Sequence, residues 1–589
     1  MSAGTETGQR RRRVRLTPMR PVPVEFTGER AGEGPLTLGQ LDVYNWLTQA
    51  PDHFYSTLRA ELPVPAAVPV QEVARAAAVL IGRHESLRTT FVPGEQPRQK
   101  VAAAGVQLLE LCSLGGGQWG PPDRPAVAEA LIALLRESPD PGQHPVRIAV
   151  AVVPGSGDRV IACAAAFSHL VVDYGSIAIL KREFAALLSD TAPRQSGLAG
   201  HQPLDQAALE ATPAEQRRAH AALDYLREQS RRFPRWLYAL PGARPSGESL
   251  EVELSSVAAA MAVRQVAART RTSRPSVVLA AICAVVARRT GYRKLVFPVS
   301  SSNRFGRHLV NYVGSLAQGS TATIEIAGRS FDELAAHTWA MAMEASRHAR
   351  YDTVKRDAMA EQVEHERGVR FDHGPMFNCL VPESWSGLTA GVGLAPEQID
   401  LALARTELRW RQLPANGRSI QFILNQIDGC LRLDVWSGDA GLLPRAELES
   451  VLLAVERLLV AAAHGDVPDG QLPGLIGLEP LAGPDRILVD HSWVDVAAVQ
   501  YLVEDAVAPA AARLFASAGG RPLVAYLTAT DDVRTPEQAH GRCMAALEHH
   551  PAAITPRHYV ICRTAPSDPA NPAAWPPPLA AGTGRARVR

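Results

Sequence analysis

The stretch Ala164-Ala165-Ala166-Phe167-Ser168-His169-Leu170-Val171-Val172-Asp173-Tyr174-Gly175-Ser176 decides how this chain is read. It opens on the end of an Ala/Val/Ile run, Arg159 to Phe167, that is apolar at every position, as a central strand covered on both faces would be. A helix is predicted to start near Ser176, so His169 and Asp173 fall on a strand-to-helix corner. There a side chain can face a cleft while its backbone is held rigidly. Spacing alone does not establish chemistry: about two His-x-x-x-acid pairs arise by chance in a chain of this composition. A buried structural histidine beside a hydrogen-bonded aspartate reads the same way.

Upstream, Val146 to Val153 and Arg159 to Phe167 flank a Gly155-Ser-Gly turn and read as an antiparallel hairpin. Val73, Ala76, Ala77, Leu80 and Ile81 recur at helical spacing, and Leu87 to Val92 reads as the strand that follows. A further helix is expected over about 127–135, after the Gly/Pro loop Gly115 to Pro125. Downstream, helices are expected over about 216–231, 256–269, 275–290, 331–348 and 446–463. Strands are expected over 294–300, 320–326, 376–381, 419–426 and 430–436, the last two joined around Asp428-Gly429. Strands that arrive as hairpins, without a βαβ rhythm, point to antiparallel-rich sheets with helices on a face, an α/β protein of α+β type.

The 589 residues are 46% hydrophobic and carry 61 basic against 60 acidic side chains. Such a chain can fill more than one core, and its net charge of +1 gives no global field for nucleic acid. Only Lys100, Lys181, Lys294 and Lys355 are lysines; with heavy Ala, Gly and Pro usage, this is what GC-rich bacterial codons produce. Seven scattered cysteines without a C-x-x-C pair suggest neither a disulfide framework nor a metal site, and fit a cytoplasmic location. The apolar run Ser276 to Ala287 is too short to span a bilayer, so no membrane segment is expected. Composition shifts divide the chain into a flexible leader (1–33), a first lobe (34–195), a polar linker (196–215), a second lobe (216–466) and a small C-terminal unit (467–589).

The quoted stretch resembles the H-H-x-x-x-D-G signature of the condensation domains of nonribosomal peptide synthesis. The resemblance extends in order over residues 35 to about 465. Pro35-Leu-Thr-Leu-Gly-Gln40 through Trp46 is similar to the family's opening helix motif, and Arg83-His-Glu-Ser-Leu-Arg-Thr-Thr-Phe91 to its R-H-E-x-L-R-T-x-F segment. Phe297-Pro-Val-Ser-Ser-Ser-Asn-Arg304 resembles its strand ending in G-R-x, Val313-Gly314 its V-G-x-x-x-N, and Met376-Phe-Asn378 its F-N strand.

The resemblance implies two chloramphenicol acetyltransferase-like lobes in a V with a central tunnel, where acyl or peptidyl carrier proteins deliver phosphopantetheine-bound substrates. It implies no bound cofactor, the phosphopantetheine arm coming with the carrier, and an amine or alcohol acceptor. His169 is then the catalytic residue, Asp173 and Arg304 an ion pair that holds the loop, and Gly175 part of the same support. Ser168, Tyr174, Ser176, Gln318 and Asn378 are motif or tunnel neighbours. Three positions depart from the pattern: Ser168 replaces the first His, Tyr174 the Gly, and Gln318 the later Asn.

The resulting expectation is a stand-alone acyltransferase that makes an amide or ester, since neither a carrier attachment motif nor a G-x-S-x-G elbow is found. The departures keep two alternatives open, a non-catalytic protein that recruits carriers and an epimerase of the same fold. Asp490 to Phe515, Arg521 to Leu527, Ile554 to Val560 and Gly582 to Arg587 resemble the small C-terminal subdomain of adenylating enzymes, without its catalytic Lys.

Overall fold

A computed structural model describes residues 14–49, 56–114, 123–136, 139, 144–153, 158–189, 200–238, 240, 246–372, 374–381, 396–413, 420–481, 486–515, 522–550 and 552–585. The chain forms two compact units. One comprises residues 1–217 with 302–318, the other 218–301 with 319–589.

The first unit runs β1 (Leu16–Pro18), β2 (Val22–Thr27), β3 (Gly32–Pro35), α1 (Leu38–Gln49), β4 (Thr57–Leu62), β5 (Val68–Pro69), α2 (Val70–Arg83), β6 (Thr89–Val92), β7 (Arg98–Val101), β8 (Ala104–Leu114), α3 (Arg124–Leu134), β9 (Val146–Val152), β10 (Arg159–Ser168), α4 (Tyr174–Leu188) and α5 (Pro203–Glu210). Its main sheet has the order β1-β8-β9-β10-β4, with β2 also on β8 and β5 on β10; β3, β7 and β6 form a small separate sheet.

The expected hairpin is present, β9 and β10 pairing antiparallel, although its turn lies outside the described residues. β10 is buried on both faces. Cys163, Ala165 and Phe167 pack into a core with α2 and α4, while Ala162, Ala164 and Ala166 pack with Val127, Ala128 and Leu131 of α3. The alanines keep the strand thin enough for helices to approach from both sides.

Two expectations are corrected here. Residues 16–27, read as flexible leader, pair with β8 at the sheet edge, whereas 1–13 lie outside the described residues. Pro23 obscured this strand, but an edge strand has only one neighbour to bond and so accommodates proline. The polar stretch read as linker holds helix α5 from Pro203, the proline occupying the first helical position, where its missing N–H costs nothing. Gln202 N–H donates to Asp205 Oδ2 (3.0 Å) at its start. Residues 190–199 of that linker lie outside the described residues.

The second unit continues α6 (Pro213–Ser230, starting in the first), β11 (Ser249–Ser256), α7 (Val257–Thr270), α8 (Arg274–Thr290), β12 (Lys294–Ser301), β13 (Gln318–Glu325), α9 (Phe331–Arg347), α10 (Thr353–Arg367), β14 (Met376–Cys379), α11 (Pro396–Leu403), β15 (Glu407–Leu413), β16 (Ile420–Gln426), β17 (Leu431–Ser437), α12 (Arg445–His464) and α13 (Leu472–Ile476). Seven strands order as β13-β12-β14-β16-β17-β11-β15, and α7, α8, α9 and α12 fill one continuous core with them. Gly429 takes φ +72° in the β16–β17 turn, the conformation for which its lack of Cβ fits it.

Beyond these lie a hairpin of β18 (Arg486–Val489) and β19 (Ser492–Asp495), then α14 (Val496–Val507), β20 (Ala512–Phe515), β21 (Val524–Thr528), α15 (Pro536–Ala546), β22 (His558–Cys562) and β23 (Pro578–Gly582). The last four strands form a sheet in chain order. Its core includes Val369, with Phe371 packed against it, so the chain after α10 forms part of the C-terminal core. Arg367, 6% exposed, donates to the carbonyls of Ser230, Phe233 and Asp490 and pairs with the Asp490 carboxylate. Arg521 and residues 586–589, including Arg587 of the adenylation-like tail, lie outside the described residues.

Candidate active site

β10 delivers the chain to the corner. His169 N–H donates to Ser56 O (2.9 Å) and Val171 N–H to Ser168 O (3.0 Å), a tight turn that fixes the backbone on either side of the imidazole. Ser168 is buried, and its Oγ accepts from Leu170 N–H (3.3 Å), so this residue supports the turn itself. Asp173 then caps α4, accepting from Ser176 N–H at 2.8 Å. An aspartate is among the best residues for this place, because it satisfies an otherwise orphaned N–H.

Asp173 is the centre of a buried network within the first unit. Its Oδ1 accepts from Arg304 Nη2 (2.7 Å) and Ser176 Oγ (3.0 Å), and its Oδ2 from Arg304 Nη1 (2.7 Å) and Leu316 N–H (3.1 Å). Arg304 Nη2 also donates to Ser176 Oγ (2.9 Å), which accepts from Gly314 N–H (3.0 Å). The carboxylate is 3% exposed and the guanidinium 13%. Burial by itself would raise the Asp173 pKa. The Arg304 charge and the hydrogen bonds outweigh that and hold it below the usual carboxylate range.

A Cβ on Gly175 would lie 2.8 Å from the guanidinium carbon of Arg304, so the bare α-carbon makes room for the fork. A Cβ on Gly39 of α1 would fall 2.3 Å from the Ser315 carbonyl, which brings α1 equally close to the same segment. Tyr174 occupies the first position of α4, half-buried against the core shared by α2 and α4.

His169 is half-buried, with Nδ1 fully enclosed. Desolvation is the largest influence on its ring and lowers the pKa from the usual 6.5; the nearby backbone of His169 and Val172 and the charges of Asp173 and Asp42 offset this only in part. The imidazole is therefore neutral at pH 7. The edge of its ring faces Trp46 of α1, centroids 6.2 Å apart at 81°.

The structure thus gathers Ser168, His169, Asp173, Gly175, Ser176 and Arg304 into one corner. Gln318 is buried at the start of β13. Asn378 belongs to β14 in the second unit, half-buried and in register with Ile423 of β16. Sequence reasoning included Trp46 only as the end of a helix motif; it lies three and six residues from Val43 and Gln40, both buried, a spacing that places it near the inner face of α1. It also missed the Leu316 N–H, since a backbone donor has no sequence signature.

The model of the family described as Condensation domain matches residues 31–379. The chain belongs to the condensation domain family. This condensation domain is 28% identical over 382 residues to phosphinothricin tripeptide synthetase PhsC of Streptomyces viridochromogenes, covering 61% of this chain and 32% of the relative, about a third of its length. Among solved structures it matches the first condensation domain of the calcium-dependent antibiotic synthetase in complex with a substrate analogue (TM-score 0.54, 17% identity, 73% of this chain and 96% of that one). It also matches SgcC5 from Streptomyces globisporus (TM-score 0.56, 16% identity, 74% and 99%). These likenesses establish the mixed helix-and-sheet, chloramphenicol acetyltransferase-like fold. Among the described residues no helix is long and apolar enough to cross a membrane, and no group of three or more His, Cys, Asp or Glu is placed to hold a metal ion.

Proposed function

We propose that this condensation domain joins an acyl group, presented as a phosphopantetheine thioester by an acyl or peptidyl carrier protein, to an amine or hydroxyl acceptor. The observation that carries the reading is the half-buried imidazole of His169, its Nδ1 enclosed, on the corner held by the Asp173–Arg304 pair. With Nδ1 enclosed, Nε2 is the nitrogen left to meet a substrate. As the acceptor attacks the thioester carbonyl, its N–C or O–C bond forms, Nε2 takes the proton the nucleophile sheds, and the C–S bond breaks. The proton passes to the departing thiolate. General-base assistance of this kind is worth about 10²–10⁴ in rate, and orientation of the nucleophile can supply roughly 7–11 kcal/mol. Asp173 and Arg304 act on the position of the loop and take no part in proton transfer.

The test is mass spectrometry of acyl-loaded carrier proteins incubated with the protein and candidate amines or alcohols. His169→Ala should abolish transfer while leaving fold and carrier binding unchanged, and retention of most activity refutes the assignment. Ser168 and Tyr174 favour one other reading, a carrier-recruiting protein without chemistry. It is upheld if carriers bind and no donor yields product with the unaltered protein.

A further inference from the structure

Away from His169, the second unit contains a cavity of about 220 Å³ where the β18–β19 hairpin meets the chain between α6 and β11. Trp236, Tyr292 and Trp493 form aromatic walls, and Arg486 and Asp495 bring one charge of each sign. Tyr292 accepts a hydrogen bond from the Trp493 backbone N–H (3.1 Å), with the two rings 6.3 Å apart, so these walls brace one another. Burial pushes the Tyr292 hydroxyl up to about 12.

Three polar groups there have bonding capacity left over. The indole Nε1–H of Trp493 is buried and has no acceptor among the described residues. Arg486 and Asp495 are direct partners in the hairpin register, yet among the described residues neither enters an ion pair. Asp495 uses Oδ1 to cap α14 through Ala497 N–H (2.9 Å) and Ala498 N–H (3.2 Å). Its Oδ2 is left over. The other cavity arginine, Arg235, is committed to the carbonyls of Ala553 and Leu547. Of the three only the indole Nε1–H is a buried unmade donor, which costs roughly 1–3 kcal/mol, so the site gains by a ligand that accepts from it.

A simple anion would satisfy Arg486 and the indole but confront Asp495; a simple amine would do the reverse. A ligand carrying both charged groups on one carbon satisfies all three groups, and the aromatic walls suit an apolar body. We propose that this cavity is a binding site for a free α-amino acid with a hydrophobic side chain, its carboxylate on Arg486 and Trp493 Nε1–H and its ammonium on Asp495. The volume, below the roughly 300–1,000 Å³ of drug-sized sites, suits a molecule of that size.

Isothermal titration calorimetry of the full chain with L-phenylalanine and L-leucine tests the proposal. Saturable one-site binding is expected, with 3-phenylpropionate and phenethylamine, each lacking one charge, at least about tenfold weaker, as the loss of a charge-assisted contact implies. Arg486→Gln and Asp495→Asn should each weaken the amino acid by a similar factor; asparagine caps helices as well as aspartate, so the second variant keeps α14 intact. His169→Ala should bind like the unaltered protein, which separates this site from the proposed active site. No saturable heat from either amino acid up to about 10 mM overturns the proposal. So does equal affinity for the single-charge analogues, or binding lost with His169→Ala and kept in Arg486→Gln. The analogue comparison on the unaltered protein decides the matter even if a variant fails to fold.

Discussion

Replacing Arg304 by alanine removes the counter-charge of a carboxylate that is 3% exposed, together with two hydrogen bonds of 2.7 Å. Stranding one partner of a buried ion pair costs about 3–5 kcal/mol. Three donors survive the substitution, the N–H groups of Ser176 and Leu316 and the Ser176 hydroxyl, so the cost should fall near the low end, about 3 kcal/mol at pH 7. The sign of the pH dependence follows from Asp173. In the unaltered protein its pKa is held below the usual range, so its contribution to stability is present at neutral pH and is lost only as pH falls through that depressed value. Without Arg304, desolvation raises the folded-state pKa, and the variant relieves its strain by taking up a proton. The stability gap should therefore narrow as pH falls from about 7 to 4. Urea unfolding followed by fluorescence at both ends of that range measures it. The double variant Asp173→Asn with Arg304→Gln, which removes both charges, should recover part of the loss. A deficit under about 1 kcal/mol, the scale of an exposed ion pair, refutes the reasoning, as does a deficit independent of pH.

Three more outcomes are expected. The rate of acyl transfer should stay level across neutral pH and fall only as pH drops through a value below 6.5, the direction in which burial moves His169; a pH–rate profile centred above 7 contradicts this. Trp46→Ala should admit water to the imidazole and raise the His169 pKa toward its ordinary value, while Trp46→Phe should change it little; NMR titration of the histidine ring reads this without any turnover. Arg367→Ala strands three backbone carbonyls at the base of the C-terminal unit and should destabilise by about 3 kcal/mol or more, seen as faster proteolysis within residues 486–585.

The strand and helix of the corner were legible because local rules govern them, an Ala-rich strand apolar on both faces followed by a helix start, whereas the roles of Asp173 and Gly175 came from the family resemblance. Pairing Asp173 with Arg304 across 131 residues needed the family resemblance, since no local pattern links them. β2 was missed because Pro23 and neighbouring arginines argue for an irregular tail, whereas the geometry of an edge strand decided the outcome. β11 escaped for the opposite reason. Its alternating glutamates Glu251 and Glu253 are an unusual pair for a central strand, yet both are buried, beside Arg411 on the neighbouring strand.

The segment 302–318, which completes the first unit, is made long after the strand and helix it locks. At about 5–20 residues per second, the 131 residues between Asp173 and Arg304 take roughly 7–26 s to synthesise. Through that interval the carboxylate at the head of α4 has no guanidinium, and the corner bearing His169 cannot close around it. The ribosome therefore holds an unfinished first unit while most of α6 to β12 emerges, so the order of synthesis and the order of assembly differ. A chain stopped at residue 217 would stay in that waiting state, which makes the native site a product of the chain just past its midpoint.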